Sequence, residues 1–309
     1  MSGLAPDAAS VRDRPLTSQA LFQLDYVAPT PATLPFVTTF FRTRCDEADI
    51  VDIQPASVGV LAVFVRGTGA VHFADGRSMP SHKVVLGTPM RAAAGIAIKG
   101  PWHTFGAALS PAGWACLTGM DAARHSDSMY DAAAIHPAFA ELGDAVGAVF
   151  DTASAEDLAL LFERAMLAVA RPLPAGHDRL IAAVKDWLGA SLSPPLDDLY
   201  ARSGFSPRQT QRLVLRYYGL APKALARKYR ALRAAALLVD PNLPDAAVPA
   251  IAGHFYDQSH MIREIRLFAG RTPARLGDGD QPYLSALLDH RSWSGGRPRV
   301  APIPDDLNA

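Results

Sequence analysis

With 309 residues, 49% of them apolar, the chain is long enough for two packed domains, and it contains no apolar run near the ~20 residues a membrane-spanning helix needs. Thirty Lys and Arg balance thirty Asp and Glu, which excludes a uniformly basic nucleic-acid binder. The balance is uneven along the chain: 12 basic against 17 acidic side chains over residues 1–175, 15 against 8 over 176–276, and 3 against 5 thereafter. The positive charge that phosphate attraction requires is thus concentrated in one segment.

Taken in order, residues 1–20 mix Ala, Ser, Pro and charges without periodicity and are expected to form a flexible arm; they lack the apolar centre of a signal peptide. Between Ala48 and Leu109, short β-like runs alternate with turn residues. Val58 to Val65 ends at Arg66-Gly67-Thr68-Gly69, Ala70 to Phe73 at Asp75-Gly76, and Lys83 to Leu86 at Gly87. Gly95 to Lys99 ends at Gly100-Pro101, and Trp102 to Leu109 at Ser110-Pro111. Five or more strands at this spacing predict a barrel or double-sheet roll. Trp102 and Phe105, flanking His103, are candidates to line an effector pocket or to fill the core.

His72, His82 and His103 have no partner two or four positions away, so no metal site is expected. Neither a nucleophile motif nor a complete phosphate loop occurs, so catalytic residues and cofactors are expected to be absent. Cys45 and Cys116 lie far apart outside any CxxC and read as two reduced thiols, which points to a soluble, cytoplasmic protein.

After Pro111 the chain turns helical and alanine-rich. Leu158, Leu161, Phe162, Met166 and Val169 repeat at helical spacing over 155–170, a face suited either to a dimer or to packing within the domain. Arg171 to Gly176, rich in proline, marks a boundary between a domain over 21–175 and another over 176–276.

In that second segment, Ser193-Pro194-Pro195 starts a short helix that Gly204 ends, and Ser206-Pro207 starts another that runs to Gly219. On this second helix Leu213, Val214 and Tyr217 share one face, while Arg208, Gln209, Gln211, Arg212 and Arg216 share the other. Arg and Gln near a helix N-terminus suit guanine and adenine edges in a major groove. Further on, Asp257 caps a helix whose inner face is Met261, Ile265 and Phe268, which stops at Gly270, and which turns Gln258, Ser259, Ile262 and Arg263 outward. The intervening helix carries Arg227, Lys228, Arg230 and Arg233, of which Arg227 and Lys228 are the candidate phosphate contacts. Beyond Leu276, residues 277–309 read as a poorly ordered tail, apart from a turn of helix around Tyr283 to Leu288.

Two short signatures at this separation, Ser203-Gly204-Phe205-Ser206-Pro207-Arg208 and Phe255-Tyr256-Asp257-Gln258-Ser259-His260-Met261-Ile262-Arg263 with Gly270-Arg271-Thr272-Pro273, make residues 180–276 resemble the DNA-binding domain of AraC/XylS-type transcriptional regulators. The resemblance implies an all-α domain with two helix-turn-helix units, behind a β-rich, cupin-like roll with trailing helices that binds a small effector or dimerises. It further implies double-stranded DNA and RNA polymerase as partners, a homodimer, and DNA-facing positions at Arg208, Gln211 and Arg212 and at Gln258, Ser259 and Arg263. Three positions depart from the pattern: Thr210 replaces a larger aliphatic residue, Pro249 stands inside the second unit's first helix, and His254 replaces the turn glycine. Pro249 predicts that this helix starts at residue 248 or 249, and His254 predicts a left-handed turn residue. Two rival readings are a DNA-binding module fused to a catalytic domain of the alkyl-transfer type, which needs a reactive cysteine, and a constitutive DNA-binding protein without effector.

Overall fold

A computed structural model of the protein describes residues 21–244, 246–278 and 280–289. The expected arm over 1–20 and the tail beyond 289 lie outside the described residues. The N-terminal part is an eight-stranded antiparallel sheet built from β1 (Phe22–Val27), β2 (Val37–Cys45), β3 (Asp49–Gln54), β4 (Val60–His72), β5 (Ser78–Pro80), β6 (Val84–Gly87), β7 (Ala94–Leu109) and β8 (Met129–Asp131). The two longest strands carry it. β4 and β7 pair along most of their length; on its other edge β7 pairs first with β3, then with β2. Sharing β7 between two partners, with register shifts around Arg66, curls the sheet around an interior cavity.

Helices α1 (Pro111–Thr118), α2 (Ala122–His125), α3 (Ala132–Ile135), α4 (Pro137–Val149) and α5 (Ala155–Val169) follow, with α1, α4 and α5 packed on the sheet around Phe40, Phe105, Trp114, Phe139 and Phe162. Leu158, Phe162, Met166 and Val169 of α5 are all buried in that core, so this is a packing face within the domain. The exposed large apolar residues of α5 are Leu160 and Leu167.

The C-terminal part is helical: α6 (His177–Ala190), α7 (Leu196–Arg202), α8 (Pro207–Tyr218), α9 (Pro222–Leu238), α10 (Ala247–Gly253) and α11 (Gln258–Ala269). One core gathers Leu180, Trp187, Leu199, Val214, Tyr217 and Leu225; another gathers Leu232, Ile251, Phe255, Ile265 and Phe268. Helix α9, at 17 residues and about 25 Å, contributes to both and spaces the two units.

Three differences from the sequence reading have physical causes. The turns expected at Arg66-Gly67-Thr68-Gly69 and Gly100-Pro101 are irregularities inside β4 and β7, where Gly67 supplies φ +84° within a bulge instead of ending the strand. Strand β2 gives no alternating signal because both its faces are covered, down to Thr43 and Arg42. The turn of helix expected around Tyr283 to Leu288 is a docked helix. It is α12 (Pro282–Leu288), whose Tyr283, Leu284, Leu287 and Leu288 are buried because it packs largely on a distant sheet, a partner that local spacing does not show.

Candidate nucleic-acid interface and the cavity behind it

The first unit is α7 and α8. Ser206 accepts a bond from the Gln209 amide while the Gln209 side-chain oxygen accepts one from the Ser206 amide, a capping box that fixes where α8 begins. Thr210 fits because its hydroxyl donates to Ser203 Oγ at 2.8 Å, tying helix to turn where an aliphatic side chain would only pack. Leu213, Val214 and Tyr217 face inward; Arg208, Gln209, Gln211, Arg212 and Arg216 are exposed. Gln211 donates to the Tyr200 hydroxyl at 2.8 Å, which restrains its amide.

The second unit is α10 and α11. Pro249 is the third residue of α10, in the first turn where a helix has no amide bonds to lose, so the helix starts earlier than expected, at Ala247. His254 sits at φ −78°, so the expected left-handed turn residue is corrected: the turn stays in the right-handed region. Asp257 caps α11 by accepting from the His260 amide at 2.7 Å. Gln258, Ser259 and Arg263 are exposed, and Ile262 is half-buried. Tyr256, part of the second signature but not among the expected DNA-facing positions, is 92% exposed beside them.

Inside the second unit, Glu264 is buried and gathers Arg227 Nε at 2.5 Å, Arg230 Nη2 at 2.7 Å and His260 Nε2 at 3.2 Å. Removing one member of such a buried ion cluster typically costs 3–5 kcal/mol, so Glu264 pins α11 to α9. A surface reading of the basic residues on α9 misses this, because residue type alone does not show the acceptor.

The two expected phosphate contacts are the clearest correction. Lys228 is 3% exposed and donates from Nζ to the carbonyls of Ser57 and Met90 at 2.8 and 2.7 Å, on loops of the β domain. Burial lowers its pKa to about 7, opposed by Asp127. Arg227 is half-exposed, but its Nε is committed to Glu264. Neither is a free cation on the reading side in this conformation.

Both α8 and α11 end against the β domain. Gly219 and Gly270 terminate α8 and α11 with φ +75° and +86°. A Cβ at Gly219 would strike the Ser126 hydroxyl, and one at Gly270 would strike Ile53 and Ala93. The Ala56 and Ala93 amides donate to the Phe268 and Leu267 carbonyls at 2.8 and 2.9 Å.

Within the sheet lies a cavity of about 120 Å³. Of the three candidate effector residues, Trp102 lines it and donates from its indole N–H to Thr104 at 2.7 Å. The other two are corrected by strand alternation. His103 points away, between Arg66 at 2.7 Å and Asp46 at 2.8 Å, and Phe105 is fully buried against Phe40 and Phe162. Thr104, two positions from Trp102, and Tyr283, from α12, are lining residues that sequence reasoning missed. Ser57 and Met90, whose carbonyls hold Lys228, line it too. Among the described residues no group of three His, Cys, Asp or Glu is placed to hold a metal, and no helix is long and apolar enough to cross a membrane.

Two doubly capped helix-turn-helix units in one helical domain, each turning Arg and Gln outward behind a β domain with a cavity, define a DNA-binding transcription regulator. Residues 199–278 match the family model described as a helix-turn-helix domain, a model of the AraC type. Among solved structures, the crystal structure of ToxT from Vibrio cholerae O395 aligns with 84% of this chain and 98% of its own, at 10% identity and a TM-score of 0.45. No curated protein matches the chain.

Proposed function

We propose that both units read bases in successive major grooves of double-stranded DNA, and that the β domain senses a small effector in its cavity. Arg208, Gln211 and Arg212 of α8, and Gln258, Ser259 and Arg263 of α11, contact base edges; Gln209, Arg216 and Ile262 border them. Arginine pairs with guanine O6 and N7 and glutamine with adenine N6 and N7, each good pair worth ~1–3 kcal/mol of discrimination. The observation that carries the reading is the exposure of these side chains on two helices whose opposite faces are buried. Leu160 and Leu167, exposed on α5, offer an apolar strip for a homodimer, and contact with RNA polymerase belongs to the same reading. A catalytic alkyl-transfer domain would need a reactive thiolate, whereas burial pushes both the Cys45 and Cys116 thiols up.

Footprinting of the intact protein on its best genomic fragment tests this. Protection of two adjacent grooves about 10 base pairs apart, with the second lost in Arg263→Ala, is the expected result. One protected groove, insensitive to Arg263→Ala, would show that α11 is a scaffold and not a reader.

A further inference from the structure

Helix α12 follows the second helix-turn-helix unit yet docks on the β domain, at the cavity. The carboxylate of Asp52 on β3, itself 1% exposed, accepts from the Tyr283 and Leu284 amides at 2.9 and 3.2 Å. The Tyr283 hydroxyl donates to Gln54 at 2.6 Å, and its ring packs edge-on against Trp102 at 5.0 Å and Phe22 at 5.9 Å. Gln54, Trp102 and Tyr283 all line the cavity, and every lining residue except Tyr283 comes from 41–129. One wall is therefore supplied by a seven-residue helix from the far end of the chain.

The cavity also states what it will take. None of its lining residues is charged; Phe41, Phe64, Ile96, Ile98 and Trp102 dominate, and its polar side-chain groups are hydroxyls, one amide and the Trp102 indole N–H, which is already bonded to Thr104. An apolar cavity of ~150 Å³ holds a benzene-sized molecule, so with Tyr283 in place this one has room for about one ring.

We propose that α12 is the removable wall of this cavity, and that an uncharged, apolar ligand larger than a single ring is admitted when Tyr283 and Leu287 leave the sheet. This rests on the reading of the β domain as an effector site. The wall is tied to the second reader: Arg271, two residues past the end of α11, holds Asp280 through two bonds of 2.5 and 2.8 Å, and α12 begins two residues later. A ligand that lifts α12 thus pulls on the segment that leaves α11.

Cys45 provides the reporter, because its buried thiol shares one apolar cluster with Trp102, Tyr283 and Leu287. In the full chain carrying Cys116→Ser it is the sole cysteine. We expect Tyr283→Ala with Leu287→Ala to speed its reaction with a disulfide reagent more than tenfold, and to tighten binding of the neutral two-part aromatic probe N-phenyl-1-naphthylamine by a similar factor. Tyr283→Phe, which keeps the ring and loses the bond to Gln54, should give about a fivefold change in each and guards against a variant that fails to fold. Unchanged thiol reactivity with probe bound equally by both chains overturns the wall and leaves the effector reading standing. Faster thiol reaction with probe bound by no chain overturns the effector reading, and the proposal with it. Faster reaction with binding no tighter in the variants also overturns the proposal, since α12 would cover the sheet without controlling access.

Discussion

At the scale of single residues, Lys228 is the most informative side chain, because its charge type and its position point in opposite directions. On sequence it belongs to a basic helix and suits a phosphate; in the fold its ammonium is enclosed by two carbonyls of the β domain. Its pKa falls to about 7, against ~10.4 for an unperturbed lysine, so between these values the unfolded chain holds more protons than the folded one. Stability must then rise with pH through that window, by up to about 1.4 kcal/mol per pH unit from this group. Lys228→Met, which removes the titration and keeps the stem, should be most favourable relative to the wild type near pH 6.5 and lose ground toward pH 8.5. Denaturant unfolding at the two pH values measures this, and a wild-type-minus-variant difference that does not change with pH would contradict the burial. Residue type alone shows neither this enclosure nor that of Glu264, since both depend on neighbours distant in the chain.

At the scale of elements, what the sequence reveals are features whose causes are local. Ser206, Gly219, Asp257 and Gly270 bound the two recognition helices as expected, because caps depend on a few neighbouring residues. Strand β2 and the docking of α12 escape because their burial comes from remote partners, and the conformation of His254 because the turn it ends needs no positive φ. The left-handed glycines separate local from tertiary causes experimentally. Gly204 has φ +73° with open space around it, whereas Gly270 has φ +86° with Ile53 and Ala93 against it. Gly204→Ala should cost about 1 kcal/mol, the strain of a left-handed alanine alone. Gly270→Ala carries that strain and must also displace the β domain, so its cost should be larger by about 1–3 kcal/mol. Equal costs for the two, measured by chemical denaturation of the full chain, would mean that the end of α11 is not held against Ile53.

At the scale of the whole molecule, the question is whether the β domain stays docked while DNA is read. The contacts at Gly219, Gly270, Ala56, Ala93 and Lys228 attach α8, α11 and α9 to one domain, so the spacing that α9 sets between the two units is also held from outside the helical segment. Salt dependence can test this, since the logarithm of the binding constant falls with slope about −0.9 per phosphate neutralised on duplex DNA. The segment 176–276 carries 15 basic against 8 acidic side chains, and the exposed ones set that slope. If the docked arrangement persists on DNA, Lys228→Met leaves the slope unchanged, while any cation that does neutralise a phosphate lowers its magnitude by about one when replaced. A fall of about one in Lys228→Met would mean instead that Lys228 leaves Ser57 and Met90 to meet the backbone. Since those carbonyls belong to loops that also line the cavity, that outcome would place the undocking of α9 within DNA binding itself, and ligand in the cavity would then compete with or support the operator through the same two loops.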